Sequence, residues 1–103
     1  MTSATTLTLD LQASYSRRFY VRRRRLAGKI YLIHLSRIFE VDELSSTVWI
    51  QCDGTKDALQ IARLVSDAFP HFDKGEIGAL TLYNLQFFLD TGLIAALQAG
   101  EEG

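Results

Sequence analysis

Residues 37–54 have the sequence Arg-Ile-Phe-Glu-Val-Asp-Glu-Leu-Ser-Ser-Thr-Val-Trp-Ile-Gln-Cys-Asp-Gly, and this stretch decides the fold class. Its beginning is rich in the β-branched and aromatic residues that strands prefer. Apolar side chains then follow at helical spacing, at Leu44, Val48, Trp49 and Cys52. Asp42 or Ser45 can cap that helix, and Gly54 can end it because glycine tolerates positive φ. The stretch therefore predicts a strand that runs directly into a helix.

Toward the N-terminus, alternation of side-chain character predicts further strands. Residues 18–24 and 29–35 form two such segments, and Leu26-Ala27-Gly28 supplies a turn between them. With residues 38–41 they predict a three-stranded antiparallel meander. Residues 6–11 alternate as well, which predicts either an extra edge strand or an arm that pairs with another chain.

Toward the C-terminus, helical patterns dominate. A second helix is predicted over residues 58–69, capped by Thr55 or Asp57 and ended by Pro70. A third is predicted over residues 76–91, closed by Gly92, after which Leu93-Ile94 folds back onto the core. The predicted fold class is α+β and winged helix-turn-helix-like, with a three-stranded antiparallel sheet followed by three helices. Residues 1–17 are expected to form a flexible or strand-like arm, residues 18–95 one domain and residues 96–103 a tail.

Composition bounds the class of protein. A chain of 103 residues with 48% hydrophobic content predicts one folded domain. No apolar run approaches the roughly 18 residues of a membrane span. The N-terminus lacks a basic region followed by an apolar region, so we do not expect it to be a signal peptide. A single Cys excludes an internal disulfide and a zinc site built from cysteines. We therefore expect a cytoplasmic protein with no membrane partner.

Charge is divided unevenly along the chain. Residues 1–38 contain eight basic residues and one acidic residue, a net +7, whereas residues 39–103 contain three basic and eleven acidic residues, a net −8. The two parts can attract each other within one fold, or the basic part can face an acidic partner. In the second case the contact residues are Arg22, Arg23, Arg24 and Arg25, expected at the exposed tip of the first hairpin.

The third predicted helix is apolar on two sides. At about 100° per residue, one side carries Ile77, Leu82, Leu85, Phe88 and Leu89. Leu80, Tyr83 and Phe87 form a second arc. A surface helix needs only one apolar stripe, so the second arc packs against the domain's own sheet or second helix, or forms the wall of a groove for a partner segment.

Several short motifs occur in a recognisable order over residues 18–95. They are Ile30-Tyr31-Leu32, Phe39-Glu40-Val41-Asp42-Glu43, Trp49-Ile50-Gln51-Cys52-Asp53-Gly54-Thr55, Gln60-Ile61 and Phe88-Leu89-Asp90-Thr91-Gly92-Leu93-Ile94. Their order and spacing resemble the pyrroloquinoline quinone biosynthesis protein D (PqqD-like) family. These small winged-helix domains are called RiPP recognition elements, where RiPP means ribosomally made and post-translationally modified peptide. Val41-Asp42 stands where the family usually has Leu-Asn, and Asp57 and Gln60 stand where it usually has Thr and Glu, which leaves open the peptide class, a lasso peptide or another RiPP.

This resemblance implies a non-catalytic function in natural product biosynthesis, as a peptide chaperone without a cofactor. Such a protein binds the leader region of a precursor peptide by strand addition and delivers it to a modifying enzyme or leader peptidase. The leader would pair with the edge formed by Arg37, Ile38, Phe39, Glu40 and Val41, so that Phe39→Pro would weaken binding by removing a donor. From the helical arc we add Leu80, Tyr83, Asn84 and Phe87 as the pocket wall. A homodimer through the N-terminal arm is a further possibility.

Other functions find less support in the sequence. It contains no Ser/His/Asp set, no carboxylate cluster with metal-ligand spacing and no Gly-rich phosphate loop, so neither catalytic nor metal-binding residues are predicted. Cys52 lies on an apolar helical face, which favours a buried, inert thiol. A winged-helix nucleic-acid-binding protein is the rival hypothesis, but residues 75–103 contain no Lys, Arg or His with which a recognition helix could contact DNA. A structural subunit of an enzyme complex is the third.

Overall fold

The computed structural model describes residues 9–97, which form six strands and three helices. In chain order these elements are β1 (Ser14–Arg17), β2 (Arg22–Leu26), β3 (Lys29–His34), β4 (Arg37–Val41), α1 (Glu43–Gln51), β5 (Asp53–Asp57), α2 (Ala58–Ala68), α3 (Lys74–Asp90) and β6 (Ile94–Leu97). The strands form two antiparallel three-stranded sheets, with orders β2-β3-β4 and β5-β1-β6. The α+β class is therefore confirmed.

The predicted meander is the β2-β3-β4 sheet. Its first strand begins at Arg22, four residues later than the pattern of residues 18–24 suggested. The β2–β3 turn consists of Ala27 and Gly28, both with positive φ (52° and 81°), which suits the right-handed twist of a hairpin. Leu35, with φ of 57°, begins the equally short turn between β3 and β4. Two tight turns thus hold the three strands in one register.

The second sheet was not predicted from the sequence. β5 has the sequence Asp-Gly-Thr-Lys-Asp, whose residues are mostly disfavoured in strands. It is a strand because β1 pairs with it on one side and with β6 on the other. The prediction that Gly54 ends the first helix is wrong, because α1 ends at Gln51 with Cys52 as its cap. Gly54 instead uses its positive φ, 89°, inside β5.

Aspartate caps begin all three helices. Asp42 accepts a hydrogen bond from the Ser45 amide at 2.8 Å, so it, and not Ser45, is the α1 cap. Asp57 caps α2 in a reciprocal capping box with Gln60, which excludes Thr55 from that role. Asp73 caps α3, and the helix therefore begins two residues before the predicted Glu76.

The core lies between the helices and the inner faces of both sheets. Its largest fully buried side chains come from β1, β3, all three helices and the Leu93–Ile94 segment, and include Tyr15, Leu32, Ile61, Leu85 and Phe88. The Leu93–Ile94 segment folds back as predicted, and the Leu93 carbonyl accepts a hydrogen bond from the Trp49 indole at 3.2 Å. Across residues 9–97, no helix combines the length and the apolar character that crossing a membrane requires.

The predicted N-terminal strand at residues 6–11 lies mostly outside the described residues. The structure assigns no strand to its last three positions, 9–11. The division into arm, domain and tail stays a prediction.

Candidate functional site

The free edge of β4 is the first component of the site. Within residues 9–97, β4 pairs only with β3, so one side of its backbone is open. The two-residue turn makes His34 and Arg37 a hydrogen-bonded pair, and such pairs recur at every second position of an antiparallel ladder. The backbone groups of Phe39 and Val41 therefore point to β3. Those of Ile38 and Glu40 point to the open edge, where a further strand can pair with them.

This register corrects the role given to the Phe39 backbone. Its amide contributes to the β3–β4 ladder and not to the open edge, so Phe39→Pro would damage the sheet itself. The Phe39 side chain points inward, with its ring 5.8 Å from the Phe87 ring in an edge-to-face contact. The Arg37 guanidinium lies 5.4 Å from the Phe39 ring and donates a hydrogen bond to the Thr91 carbonyl at 2.6 Å. These contacts fasten β4 alongside the C-terminal half of α3.

Two hollows adjoin this junction. The larger, about 550 Å³, is lined by the start of α1, by the segment after α2 and by α3: Asp42, Glu43, Leu44, Ser45, Phe69, Phe72, Leu80, Tyr83 and Asn84. The smaller, about 270 Å³, is lined by Glu40, Val41, Asp42, Ser45, Tyr83, Asn84, Phe87 and Phe88. The two hollows adjoin each other, because both are lined by Asp42, Ser45, Tyr83 and Asn84, and together they are called the groove.

The second apolar arc of α3 forms one wall of that groove. Tyr83 is 60% exposed and Leu80 44% exposed, so neither packs into the domain. Phe87 differs, because it is half-buried against the core and against Phe39. Asn84 is buried at the base, where its amide donates to the Leu80 carbonyl at 2.9 Å. In the second arc, the sheet therefore covers Phe87, whereas Leu80 and Tyr83 remain exposed to solvent.

Comparison with solved structures finds the same architecture. The PqqD truncation of Methylobacterium extorquens PqqCD, a functional and stand-alone RiPP recognition element, matches with a TM-score of 0.69 and 21% sequence identity, over 86% of this chain and 96% of its own. This chain has the fold of a RiPP recognition element. TbiB1, solved in complex with the TbiA(beta) leader peptide, matches with a TM-score of 0.60 and 16% identity, over 85% of this chain and 99% of its own. No protein-family model matches the sequence, and no curated protein matches it either.

Part of the groove in this recognition-element fold was not predicted from the sequence. Phe69 and Phe72 contact each other edge-to-face, with ring centroids 5.8 Å apart, and line the larger hollow. The signal for Phe72 was an aromatic residue in an otherwise polar loop, where it is 53% exposed. Asp42 was considered only as a helix cap and Glu43 was given no role, yet both border the groove. Their position could not be read from the sequence because α1 and α3 meet only in the folded domain.

The four arginines of residues 22–25 are not at the tip of the first hairpin. They form most of β2, because the register places the turn at Ala27-Gly28. Arg23 donates to the Ser46 hydroxyl at 2.7 Å, and Arg25 forms an ion pair with Glu43 at 2.9 Å. Two of the four thus contact α1 of the same chain. Arg22 and Arg24 are exposed and point away from the helices.

We expect Arg23→Gln to lower the free energy of unfolding by about 1–2 kcal/mol, because it removes a charged donor from the buried Ser46 hydroxyl. Arg22→Gln, an exposed neighbour with the same change of charge, should alter it by no more than about 0.5 kcal/mol. Urea denaturation followed by circular dichroism measures both. Equal losses in the two variants would mean that net charge, and not the Ser46 contact, sets the stability.

In the described part of the chain, the Cys and His side chains that the sequence offers for catalysis lie apart from one another. Cys52 is fully buried and its thiol donates to the Val48 carbonyl at 3.3 Å. Burial raises the pKa of this thiol to about 12, which leaves little thiolate at neutral pH. Among residues 9–97, no cluster of three or more His, Cys, Asp or Glu side chains could hold a metal ion. His34 stacks on Tyr20 at a centroid distance of 5.0 Å and contacts Arg37 at 3.2 Å.

We expect native Cys52 to resist alkylation. At pH 8 and low denaturant, reaction with iodoacetamide should be at least about 100-fold slower than in the unfolded chain, because the thiol is both inaccessible and protonated. Mass spectrometry of quenched samples measures the rate. Rapid labelling of the folded protein would show that α1 opens readily and that Cys52 is not a stable part of the core.

Proposed function

We propose that this protein binds the leader region of a ribosomally synthesised precursor peptide by strand addition to β4. The observation that carries the proposal is the free edge of β4 beside the exposed apolar wall of α3. An added strand forms main-chain hydrogen bonds with Ile38 and Glu40, whatever its sequence. The fold supports this assignment, since one structural relative was solved with a leader peptide bound.

Specificity comes from the groove. Leader side chains that point inward enter a cavity whose walls include Leu44, Phe69, Leu80 and Tyr83. Large apolar side chains fit such walls, and their burial supplies the affinity that main-chain bonds alone do not. Arg37, Ile38, Phe39, Glu40, Val41, Leu80, Tyr83, Asn84 and Phe87 are the proposed peptide-binding residues. Phe39 and Arg37 act through their side chains, by fixing β4 against α3.

A modifying enzyme or leader peptidase is the proposed second partner. The match to a PqqCD truncation supports it, because in that protein the recognition element is one part of a longer chain. From the sequence, Arg22, Arg23, Arg24 and Arg25 were expected to contact either this enzyme or an acidic leader. Because Arg23 is half-buried against α1, the arginines that a partner can reach are Arg22, Arg24 and Arg25, of which Arg25 also pairs with Glu43. We propose that the protein acts without a cofactor and in the cytoplasm.

Nucleic-acid binding is disfavoured by the charge around the groove. Glu40, Asp42 and Glu43 border it, and these carboxylates repel phosphates. α3 itself has one basic residue, Lys74, against Glu76 and Asp90. A leader peptide that carries a basic residue beside its apolar anchors would suit this rim better.

Amide exchange offers a residue-level test. We expect leader binding to slow hydrogen exchange of the Ile38 and Glu40 amides by at least about tenfold, because only these gain partners at the edge. The Phe39 and Val41 amides, which already bond to β3, should change less. The measurement is ¹⁵N NMR exchange with a synthetic leader from the precursor encoded beside the gene.

Matched titrations separate the function classes. A fluorescent leader peptide should bind, whereas the core half of the same precursor and a duplex DNA of mixed sequence should not at moderate salt. Comparable affinity for DNA would contradict the proposal. Leader binding that protects amides of β2 instead of β4 would move the site to the other free edge of the sheet.

A further inference from the structure

The outer face of the β2-β3-β4 sheet carries exposed apolar side chains. Strand alternation points Ile30 and Leu32 inward, and points Tyr31 and Ile33 outward. Leu26 is 61% exposed and Ile38 64% exposed. Together with Ala27, Tyr31 and Ile33 they line a shallow hollow of about 220 Å³. A contiguous apolar surface of this kind, away from any core, is typical of an interaction site.

Charges on this face are arranged in a definite order. The register places Arg24, Tyr31 and Glu40 in one row across the three strands. The row is therefore basic on β2, aromatic in the middle and acidic on β4. Within residues 9–97, Arg24 has no acidic partner, and its guanidinium contacts only the Arg23 carbonyl, at 3.4 Å. Glu40 has a long contact of 3.8 Å with the exposed Lys29.

This order is self-complementary under a two-fold rotation. If two sheets lie face to face with the axis along β3, β2 of each copy lies over β4 of the other. Arg24 of each copy then faces Glu40 of the other, which makes two equivalent ion pairs. Tyr31 and Ile33 meet their own counterparts near the axis, and the Arg22 stem covers Ile38 in the adjacent row.

We infer that this face binds a second copy of the chain, in a symmetric dimer with reciprocal Arg24–Glu40 pairs. The inference goes beyond leader binding and does not depend on it. The dimer would cover Arg22 and Arg24, so an enzyme that contacts these two arginines would bind the monomer. It also differs from pairing through the N-terminal arm. Glu40 lines both the groove and the dimer contact, but the walls of the groove that come from α1 and α3 lie outside the contacting faces and stay open. A leader strand would extend each sheet beside the interface.

Charge reversal tests this arrangement with the full chain alone. Sedimentation equilibrium from about 5 to about 500 µM, the range in which modest interfaces dissociate, should show a monomer–dimer equilibrium for the wild-type protein. Arg24→Glu and Glu40→Arg should each weaken dimerisation at least about tenfold, because each substitution turns both ion pairs of the symmetric dimer into pairs of like charges. The double variant should return to within about threefold of the wild type. Arg63→Glu, an exposed substitution on α2, controls for net charge.

An independent variant addresses the apolar part of the face. Ile38→Lys places a cation against Arg22 of the other copy and should weaken the dimer as much as Arg24→Glu. Circular dichroism melts verify that each variant is folded. A wild-type protein that stays monomeric throughout the concentration range overturns the inference. So does a double variant as weak as its single parents, since the dimer would then use another surface, such as the N-terminal arm.

Discussion

Glu40→Pro is expected to lower the affinity for a leader peptide by at least about tenfold, or about 1.4 kcal/mol. The Glu40 amide points to the open edge of β4, so proline removes one hydrogen bond that an added strand would accept. The ring also occupies space that the added strand needs. The fold should survive, because an edge strand tolerates proline where the lost N–H faces outward. Fluorescence anisotropy with the leader measures affinity, and thermal melts measure stability.

Two variants complete this experiment. Glu40→Ala removes the side chain and keeps the N–H, so it should bind the leader within about threefold of the wild type. Phe39→Pro should instead lower stability, because the Phe39 amide belongs to the β3–β4 ladder and not to the open edge. It should lower the free energy of unfolding by roughly 3 kcal/mol or more. If Glu40→Pro is folded and binds the leader as well as the wild type, strand addition does not occur at this edge.

Leu85→Ala is expected to lower the free energy of unfolding by about 2–5 kcal/mol. Leu85 is fully buried on the core side of α3, and its truncation leaves a cavity that rigid neighbours cannot fill. A small domain has only about 5–15 kcal/mol of total stability, so this loss would be visible as a large fall in melting temperature. Leader affinity per folded molecule should change little.

Tyr83→Ala is the matched change on the opposite side of the same helix. Because Tyr83 is 60% exposed, its truncation should alter stability by less than about 1 kcal/mol. It should weaken leader binding by about 1–3 kcal/mol, as loss of an aromatic anchor does. Phe87→Ala should show both effects, since Phe87 packs on Phe39 and also lines the groove. If Tyr83→Ala leaves binding unchanged, the open part of the arc is not the peptide site.

The sequence was sufficient to predict those helices and strands that depend on residues close together in the chain. Helical periodicity with capping residues for the first two helices predicted the three helices, and strand alternation with the turn at Gly28 predicted the β2-β3-β4 meander. Each of these signals depends on residues within a few positions of one another. They also predicted the two-sided character of α3. Of its second arc, Leu80 and Tyr83 are exposed, and both line the groove.

These local signals did not predict the β5-β1-β6 sheet. Asp53–Asp57 has a poor strand sequence and pairs with β1, which lies about 40 residues earlier in the chain. Its backbone bonds to β1, which in turn bonds to β6, so neither short strand is stable alone. The sequence analysis predicted that α1 ends at Gly54, three residues after its observed end. A glycine with positive φ is compatible with a helix end and with an irregular strand, so the residue type did not distinguish them.

By itself, the sequence determined that residues 37–54 form a strand followed by a helix and that α3 is apolar on two sides. Only the tertiary structure decided which backbone groups are free. Whether Phe39 or Glu40 offers its amide depends on the pairing register with β3, and a shift of one residue exchanges them. In the same way, the tertiary structure places Arg23 and Arg25 in contact with α1, whereas Arg22 and Arg24 lie on the outer face of the sheet. Periodicity assigns side chains to faces, but the partner strand determines what each backbone group contacts.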